Sequence, residues 1–326
     1  MTDIIGSVGP VRNVDLVLEG GGVKGVALLG AVLTLSEAGY RFPRIAGTSV
    51  GALVGTLVAA YQRAGRDLHD LLPVMESIDY RRFADGGGLQ KMLGPIGDGL
   101  GVLLHDGAHP GRFVEELLTP LLGDVGVHTW ADLRIDDDPD TSLLPYQRYA
   151  AVCLVTDLTR RVSVRLPWDY DQYGLDRDTQ SVAAAVHAST AVPFYFRPVE
   201  ITTPRGTCTW IDGGLLDNFP ITVFDRTDGL PERWPTWGVK LSAEPPADTP
   251  DHPVRGAPFL ALACLGALTN EDSRRYRLDE EGVNRRTVYV DTGTVGALDF
   301  DLTRQQVDGL LTAGREAATR FLALQD

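Results

Sequence analysis

The chain has 326 residues, of which 44% are hydrophobic and 23% are charged, and these are the proportions of an ordinary globular protein. The formal net charge is −14, from 30 basic and 44 acidic residues, so nucleic-acid binding is not expected, and any membrane-surface contact should be transient and apolar rather than electrostatic. The three cysteines lie far apart, no secretory signal is present, and no apolar run is long enough to span a bilayer. The composition therefore predicts a reduced, cytoplasmic protein.

Two successive strand–helix units are predicted between residues 14 and 64. Val14–Glu19 is an apolar strand, and the helix after Gly25 is apolar on nearly every side until Gly39, which can end it. A second strand at Arg44–Ala46 precedes another apolar helix, which starts after Ser49. Because helices without a polar face are buried, this pattern predicts a sheet covered by helices.

The rest of the chain shows no internal repeat and no convincing linker, so a single domain over residues 1–326 is predicted. Glycines punctuate residues 85–111, which we interpret either as a long irregular connection or as a mobile apolar cap beside a lipid site. The role of residues 224–326 stays open between completing the sheet, forming a regulatory face and dimerisation. The predicted elements are a helix at Arg112–Leu122, strands at Gln147–Val155 and Arg161–Leu166, a helix at Ser181–Ser189, strands at Pro198–Ile201, Cys208–Ile211 and Trp237–Leu241, a helix at Phe259–Leu268, a strand at Thr287–Val290, and a C-terminal helix capped by Thr303 and Gln306.

Two loops that follow neighbouring strands can carry chemistry. Gly47-Thr48-Ser49-Val50-Gly51 fits the G-x-S-x-G nucleophile elbow, in which a strained turn exposes a serine and the flanking glycines avoid clashes. The loop Gly20–Gly25 can present bare backbone N–H groups at a helix N-terminus, where they would stabilise a developing oxyanion. Together the two loops predict acyl transfer by a nucleophilic serine.

The Gly20–Gly25 loop also matches the dinucleotide-binding pattern G-x-G-x-x-G. That fingerprint needs an Asp or Glu about 20 residues further on, at the end of the second strand. Here the second strand ends in Gly47, and Glu37 falls on the intervening helix. A bound dinucleotide is therefore not expected.

With these loops in view, the chain resembles the patatin-like phospholipase family, whose sequences carry G-G-G-x-[RK]-G, G-x-S-x-G and D-G-[GA] in that order. The resemblance covers about residues 14–223, and the runs Ala188–Pro198 and Leu215–Pro220 also look like the family's sequences on either side of its third motif. The three motifs stand here as Gly20-Gly21-Gly22-Val23-Lys24-Gly25, Gly47-Thr48-Ser49-Val50-Gly51 and Asp212-Gly213-Gly214.

The resemblance implies a three-layer α/β/α sandwich of the patatin type, with a mostly parallel central sheet. It also implies a Ser–Asp dyad, with Ser49 as the nucleophile, Asp212 as the base and the amides of Gly20–Gly22 as the oxyanion hole. Lys24 is a candidate helper, and neither a metal nor another cofactor is required. The implied activity is hydrolysis of ester-linked acyl chains of phospholipids or lysophospholipids. The alternatives are a general carboxylesterase or acyltransferase on the same dyad, and a non-catalytic lipid-binding relative.

This chemistry sets two requirements. An aspartate is a weak base near its ordinary pKa of about 3.9, so the dyad needs a desolvated carboxylate and a polarised serine. An acyl chain needs an apolar path, and we expect residues around Leu89–Leu104 and Phe194–Phe196 to line it.

Other side chains compete for the role of base. Asp85 also opens a D-G-G sequence, and Asp217 lies five residues beyond Asp212, but Asp212 is preferred because an apolar strand delivers it. A Ser–His–Asp triad would need a histidine after the aspartate, and only His252 qualifies, in a proline-flanked loop that would hold a base poorly. His187 is expected to pack in the protein or to line a pocket.

Overall fold

The structure is a computed structural model that describes residues 12–78, 112–136, 141–193, 195–242 and 280–325. The glycine-rich stretch at 85–111 and the helix expected at Phe259–Leu268 lie outside these ranges. No helix within these ranges is both long and apolar enough to cross a membrane.

Strands and helices alternate along the chain, largely as the hydrophobic pattern predicts. The two helices α1 and α2 are buried on nearly every side, because their apolar residues leave no polar face for solvent. The elements are β1 (Arg12–Asn13), β2 (Asp15–Leu18), α1 (Gly25–Glu37), β3 (Tyr40–Arg41), β4 (Ile45–Thr48), α2 (Val50–Arg63), α3 (Leu71–Ser77), α4 (Phe113–Gly123), β5 (Ala151–Asp157), β6 (Val162–Leu166), α5 (Val182–Ser189), β7 (Val199–Thr203), β8 (Gly206–Asp212), β9 (Thr236–Lys240), α6 (Glu280–Val283), β10 (Thr287–Tyr289) and α7 (Arg304–Leu322).

One prediction differs from the structure at its start. The strand expected from Gln147 begins only at Ala151, and Pro145–Gln147 forms a short 3₁₀ turn instead. Proline favours the first position of such a turn, and the side chain of Gln147 accepts a hydrogen bond from the Leu144 N–H, so the local chemistry is that of a cap rather than a strand.

The main sheet of the described chain joins eight strands, and helices lie on both of its faces. Strands β10, β9, β2, β4 and β5 pair in parallel, in that order. Strand β5 also pairs antiparallel with β6 and β8, and β7 pairs antiparallel with β8. Strands β2, β4 and β9 are buried along their whole length, as expected for parallel strands covered on both faces.

The register on β5 brings two strand ends together. Strand β4 pairs with the first half of β5, where Thr48 lies opposite Leu154, and β8 pairs with the second half, where Asp212 lies opposite Val155. Strand β6 pairs with the same β5 residues, so it occupies the other edge, and β4 and β8 share one edge. Because β4 runs parallel and β8 antiparallel to β5, their C-terminal ends meet. The residue after β4 is Ser49.

Residues beyond 224 take part in this sheet. Strands β9 and β10 extend it next to β2, and α7 packs closely on α1. Glycines permit this packing, since a Cβ on Gly314 would collide with the backbone of Ala27, and a Cβ on Gly30 would collide with the backbone of Leu311. The predicted capping box of Thr303 and Gln306 is present at the start of α7.

Candidate active site

The serine of the predicted elbow lies at the turn between β4 and α2. Ser49 has φ 55° and ψ −124°, a backbone conformation that non-glycine residues rarely adopt. The flanking glycines permit the turn, because a Cβ on Gly51 would lie 2.7 Å from the carbonyl oxygen of Glu19, and a Cβ on Gly47 would lie 2.6 Å from the Ala52 nitrogen. The geometry is that of a nucleophile elbow, as the motif predicts.

A second serine holds the backbone of Ser49. The Ser49 N–H donates to the Oγ atom of Ser189 at 2.9 Å, and the Ser189 hydroxyl donates to the carbonyl oxygen of Leu154 at 2.6 Å. Ser189 is the last residue of α5 and is fully buried, so both hydrogen bonds are shielded from water. They connect the strained turn to β5.

Asp212 ends β8 and faces Ser49. Its carboxylate accepts hydrogen bonds from the Ser49 hydroxyl and, at 2.7 Å, from the Gly214 N–H. Burial raises the pKa of Asp212 to about 6, and the two hydrogen bonds oppose this rise only in part. Gly213 permits the close approach to β5, because a Cβ there would collide with the Leu154 carbonyl. A carboxylate with this pKa is ionised at neutral pH and is a stronger base than an exposed aspartate.

The glycine loop between β2 and α1 lies beside Ser49. The Gly20 N–H donates to the carbonyl oxygen of Asn218 at 3.1 Å, so it is not free for an oxyanion, in contrast to the expectation. The N–H groups of Gly21 and Gly22 donate to no backbone carbonyl within the described ranges, and both residues line the cleft at Ser49. These two amides, near the N-terminus of α1, are the donors of the loop that can meet a bound anion.

Two further contacts need glycine in this loop. Gly22 has φ +58°, and a Cβ there would collide with the backbone of Ala297, whose carbonyl oxygen accepts the Val23 N–H at 3.0 Å. Gly25 begins α1 against α2, where a Cβ would collide with the side chain of Val50. The loop is therefore packed against both the elbow helix and the C-terminal part of the chain.

Asn218 joins the glycine loop to the segment after β8. Its side-chain Nδ2 group donates to the Gly20 carbonyl oxygen at 3.2 Å. Its backbone carbonyl oxygen accepts the Gly20 N–H, as described above. The hydroxyl of Thr48, at the end of β4, donates a hydrogen bond of 2.9 Å to the backbone carbonyl oxygen of Asp217, the residue before Asn218. This segment therefore ties together the three chain stretches that carry the loop, the serine and the aspartate.

A buried ion pair lies behind the loop. Lys240 at the end of β9 pairs with Glu19, and the second carboxylate oxygen of Glu19 accepts the Leu241 N–H at 2.6 Å. The Leu241 side chain in turn contacts Gly21, where a Cβ would collide with it. The pair fixes the end of β9 against the glycine loop.

Lys24, the candidate helper, is half-buried and does not line the cleft. Burial lowers its pKa, and the carboxylates of Glu19, Asp299 and Asp291 act in the opposite direction. The charges that act on Lys24 thus lie just after β2 and on the chain before α7 rather than at Ser49.

Ser49 opens onto two adjoining spaces. A cleft of about 340 Å³ is bounded by the glycine loop, Asp212 and Leu298. Next to it, an apolar pocket of about 50 Å³, which we call the inner pocket, extends from Ser49 between α2, α3 and α4. Its walls include Val50, Leu53, Met75, Val114, Phe196 and Leu298. Phe196 was expected on the acyl path, and Tyr195 lines the cleft, whereas Phe194 and Leu89–Leu104 lie outside the described residues.

Of the side chains that compete for the role of base, the structure describes Asp217 and His187. Asp85 and His252 lie outside the described residues. Asp217 lines a cavity that does not include Ser49. His187 lies on α5, where burial lowers its pKa, and it is not part of the cleft. Within the described ranges, Asp212 is the carboxylate that accepts the Ser49 hydroxyl.

Several residues of the site were not predicted individually. Ser189 and Asn218 stand inside the two sequence runs that support the family resemblance, and those runs were the available signal. Ala297, Leu298 and the Glu19–Lys240 pair had no such signal, because their roles depend on contacts between distant parts of the chain.

The chain is similar to several known proteins. The family model "Patatin-like phospholipase" matches residues 16–225. Uncharacterized protein YqhO of Bacillus subtilis is 31% identical over 311 residues, covering 95% of this chain and 98% of that protein. Lysophospholipase nte1 of Aspergillus niger is 48% identical over 48 residues, which is 15% of this chain and 3% of that much longer protein.

A solved structure supports the architecture. VipD from Legionella pneumophila matches with a TM-score of 0.50 at 19% identity, covering 96% of this chain and 67% of that one. At this identity the likeness concerns the fold, which is an α/β/α sandwich around a central sheet. The extent of the family-model match settles the classification: the chain belongs to the patatin-like phospholipase family. Family membership supports a lipid hydrolase.

Proposed function

We propose that this chain is a serine lipid acyl hydrolase that cleaves ester-linked fatty acyl chains from phospholipids or lysophospholipids through a Ser49–Asp212 dyad. One observation carries the proposal: the hydroxyl of a strained elbow serine is hydrogen-bonded to a buried aspartate whose pKa is raised to about 6. This pairing joins a nucleophile to a base that is ionised at neutral pH.

In the first half of the reaction, the Ser49 oxygen attacks the ester carbonyl while its proton passes to Asp212. The negative charge on the carbonyl oxygen is stabilised by the Gly21 and Gly22 amides and by the N-terminus of α1. Protonated Asp212 then returns the proton to the departing alcohol oxygen, the ester C–O bond breaks, and an acyl-Ser49 ester remains.

In the second half, water attacks the acyl ester, and Asp212 accepts the proton of that water. Collapse of the tetrahedral intermediate releases the fatty acid, and the proton returns to the Ser49 oxygen. Nucleophile and base are thus regenerated together. The apolar inner pocket beside Ser49 supports an acyl group as the part of the substrate that enters.

The test is acyl release from p-nitrophenyl esters and from phosphatidylcholine and lysophosphatidylcholine micelles, with fluorophosphonate labelling as a second readout. We expect Ser49→Ala to abolish labelling and turnover, and Asp212→Ala to reduce turnover by about 10²-fold or more. Asp217→Asn is the matched control, because Asp217 lines a cavity separate from the cleft at Ser49, and this variant should retain activity.

Two results would contradict the proposal. Loss of activity in His252→Ala with activity kept in Asp212→Ala would favour a triad in place of the dyad. Lipid binding without acyl release and without labelling of Ser49 would favour a binding protein.

A further inference from the structure

The inner pocket includes two residues that also line another cavity. They are Ile78, just beyond α3, and Phe300. The same two residues line a second cavity of about 700 Å³, which we call the outer cavity. The outer cavity lies between α3 and the start of α7, and its other apolar residues include Pro73, Leu302 and Val307. Ile78 and Phe300 therefore separate the pocket at the nucleophile from a larger space behind it.

Phe300 belongs to residues 295–302, which we call the wall segment. This segment is anchored on the glycine loop, because Ala297 accepts the Val23 N–H at 3.0 Å. Leu298 lines both the cleft and the inner pocket, and its carbonyl oxygen accepts the Phe300 N–H at 3.0 Å. The Phe300 ring also packs on Tyr195, with the ring centroids 5.9 Å apart. The phenyl ring is thus held in place from two sides.

Volume limits what the inner pocket can accept. About 50 Å³ is space for only a few methylene groups beyond the ester carbonyl, whereas the outer cavity is more than ten times larger. The outer cavity has a mixed lining: Arg304 lies 3.8 Å from Glu76, Asp301 and Asp308 are also charged, and Ile78 and Phe300 are among its apolar residues.

We propose that Phe300, together with Ile78, forms the end wall of the acyl site and sets the length of the acyl chain that the enzyme prefers. This inference rests on the proposed function and specifies its substrate class: the inner pocket holds the carbons next to the ester carbonyl, and the wall limits how far a longer fatty acyl chain can follow them. The wall segment lies outside residues 16–225, which the family model matches, whereas Ile78 lies inside them.

The test measures kcat/KM for p-nitrophenyl esters from butanoyl to dodecanoyl. We expect the wild type to favour the short esters. Phe300→Ala joins the inner pocket to the outer cavity, and each additional buried methylene raises kcat/KM about fourfold. If two or three further methylenes enter the opened space, the ratio of dodecanoyl to butanoyl kcat/KM should rise by roughly 15-fold to 60-fold in this variant.

Two further variants isolate the effect of the wall. Leu302→Ala removes a similar apolar volume from the outer cavity alone, and its chain-length profile should match the wild type. In the double variant Phe300→Ala/Leu302→Trp, the new indole fills the opened space, and the profile should return to that of the wild type. Phe300→Leu and Ile78→Ala serve if Phe300→Ala does not fold, which circular dichroism will show.

The outcomes separate this inference from the proposed function. The end wall would be wrong if folded, active Phe300→Ala and Ile78→Ala enzymes both kept the wild-type ratio of dodecanoyl to butanoyl kcat/KM. That result would not contradict the Ser49–Asp212 dyad. A wild type that releases no acid from any ester, and whose Ser49 is not labelled by a fluorophosphonate, would overturn the proposed function and the inference with it.

Discussion

Replacing Asp212 by asparagine should inactivate the enzyme and stabilise its fold at the same time. Burial raises the pKa of Asp212 from 3.8 to about 6, so at neutral pH the folded protein holds a carboxylate that would be more stable in the unfolded chain. A shift of about two pKa units corresponds to roughly 3 kcal/mol. Asparagine is not charged, and its amide can still accept the Gly214 N–H and donate to Ser49.

The sign of the pH dependence follows from proton binding. Between about pH 4 and pH 6 the folded wild type binds more protons at Asp212 than the unfolded chain does, so stability falls as the pH rises through this window. Above pH 6 the full penalty is present. Asp212→Asn should therefore unfold with a free energy about 2–3 kcal/mol higher than the wild type at pH 8, and with little difference at pH 4.

Urea unfolding of both proteins at these two pH values measures the effect. Asp299→Asn is the charge control, because Asp299 is exposed and an amide oxygen can also accept its hydrogen bond from Gly296. In activity assays, kcat/KM of the wild type should rise with pH through an apparent pKa near 6, and Asp212→Asn should lose about 10²-fold or more. If Asp212→Asn and the wild type had the same free energy of unfolding at pH 8, or differed by the same amount at pH 4 and pH 8, burial would not destabilise the Asp212 carboxylate.

Two further predictions concern the scaffold of the site. Ser189→Ala removes the hydrogen-bond partner of the Ser49 N–H and of the Leu154 carbonyl oxygen, which are both buried. The free energy of unfolding in urea should therefore fall by about 2–4 kcal/mol, and kcat should fall with it. A loss below about 1 kcal/mol would contradict the role of this serine in holding the elbow. Gly314→Ala places a methyl group on the α1 backbone and should cost about 1–3 kcal/mol, whereas Gly309→Ala on the open face of the same helix should raise stability by about 0.5–1 kcal/mol, with thermal unfolding as the measurement. Equal effects of the two alanines would mean that the close approach of α7 to α1 is not rigid.

Much of the fold could be predicted because the relevant signals are local. The apolar, glycine-bounded segments around Ser49 predict strand, turn and helix from the preferences of neighbouring residues, and the structure confirms β4, α2 and the strained turn between them. The predicted start of this strand at Gln147 was wrong, because Pro145–Gln147 forms a 3₁₀ turn and β5 begins only at Ala151.

The chemistry of the candidate site depended on contacts that the local pattern does not contain. The sequence named Ser49 and Asp212, but their meeting depends on the register by which β4 and β8 share one edge of β5. The pairing of the Gly20 amide with Asn218 likewise joins distant segments, and it leaves Gly21 and Gly22 as the available donors.

The sequence by itself determined the order of the motifs and the elements that carry them, and it predicted Ser49 as the nucleophile and Asp212 as the base. Tertiary structure alone decided that the Gly20 amide pairs with Asn218, how far burial raises the pKa of Asp212, and that Phe300 lines the inner pocket. The physical reason is that backbone conformation follows from adjacent residues, whereas desolvation, strand register and cavity shape arise only when distant parts of the chain pack together.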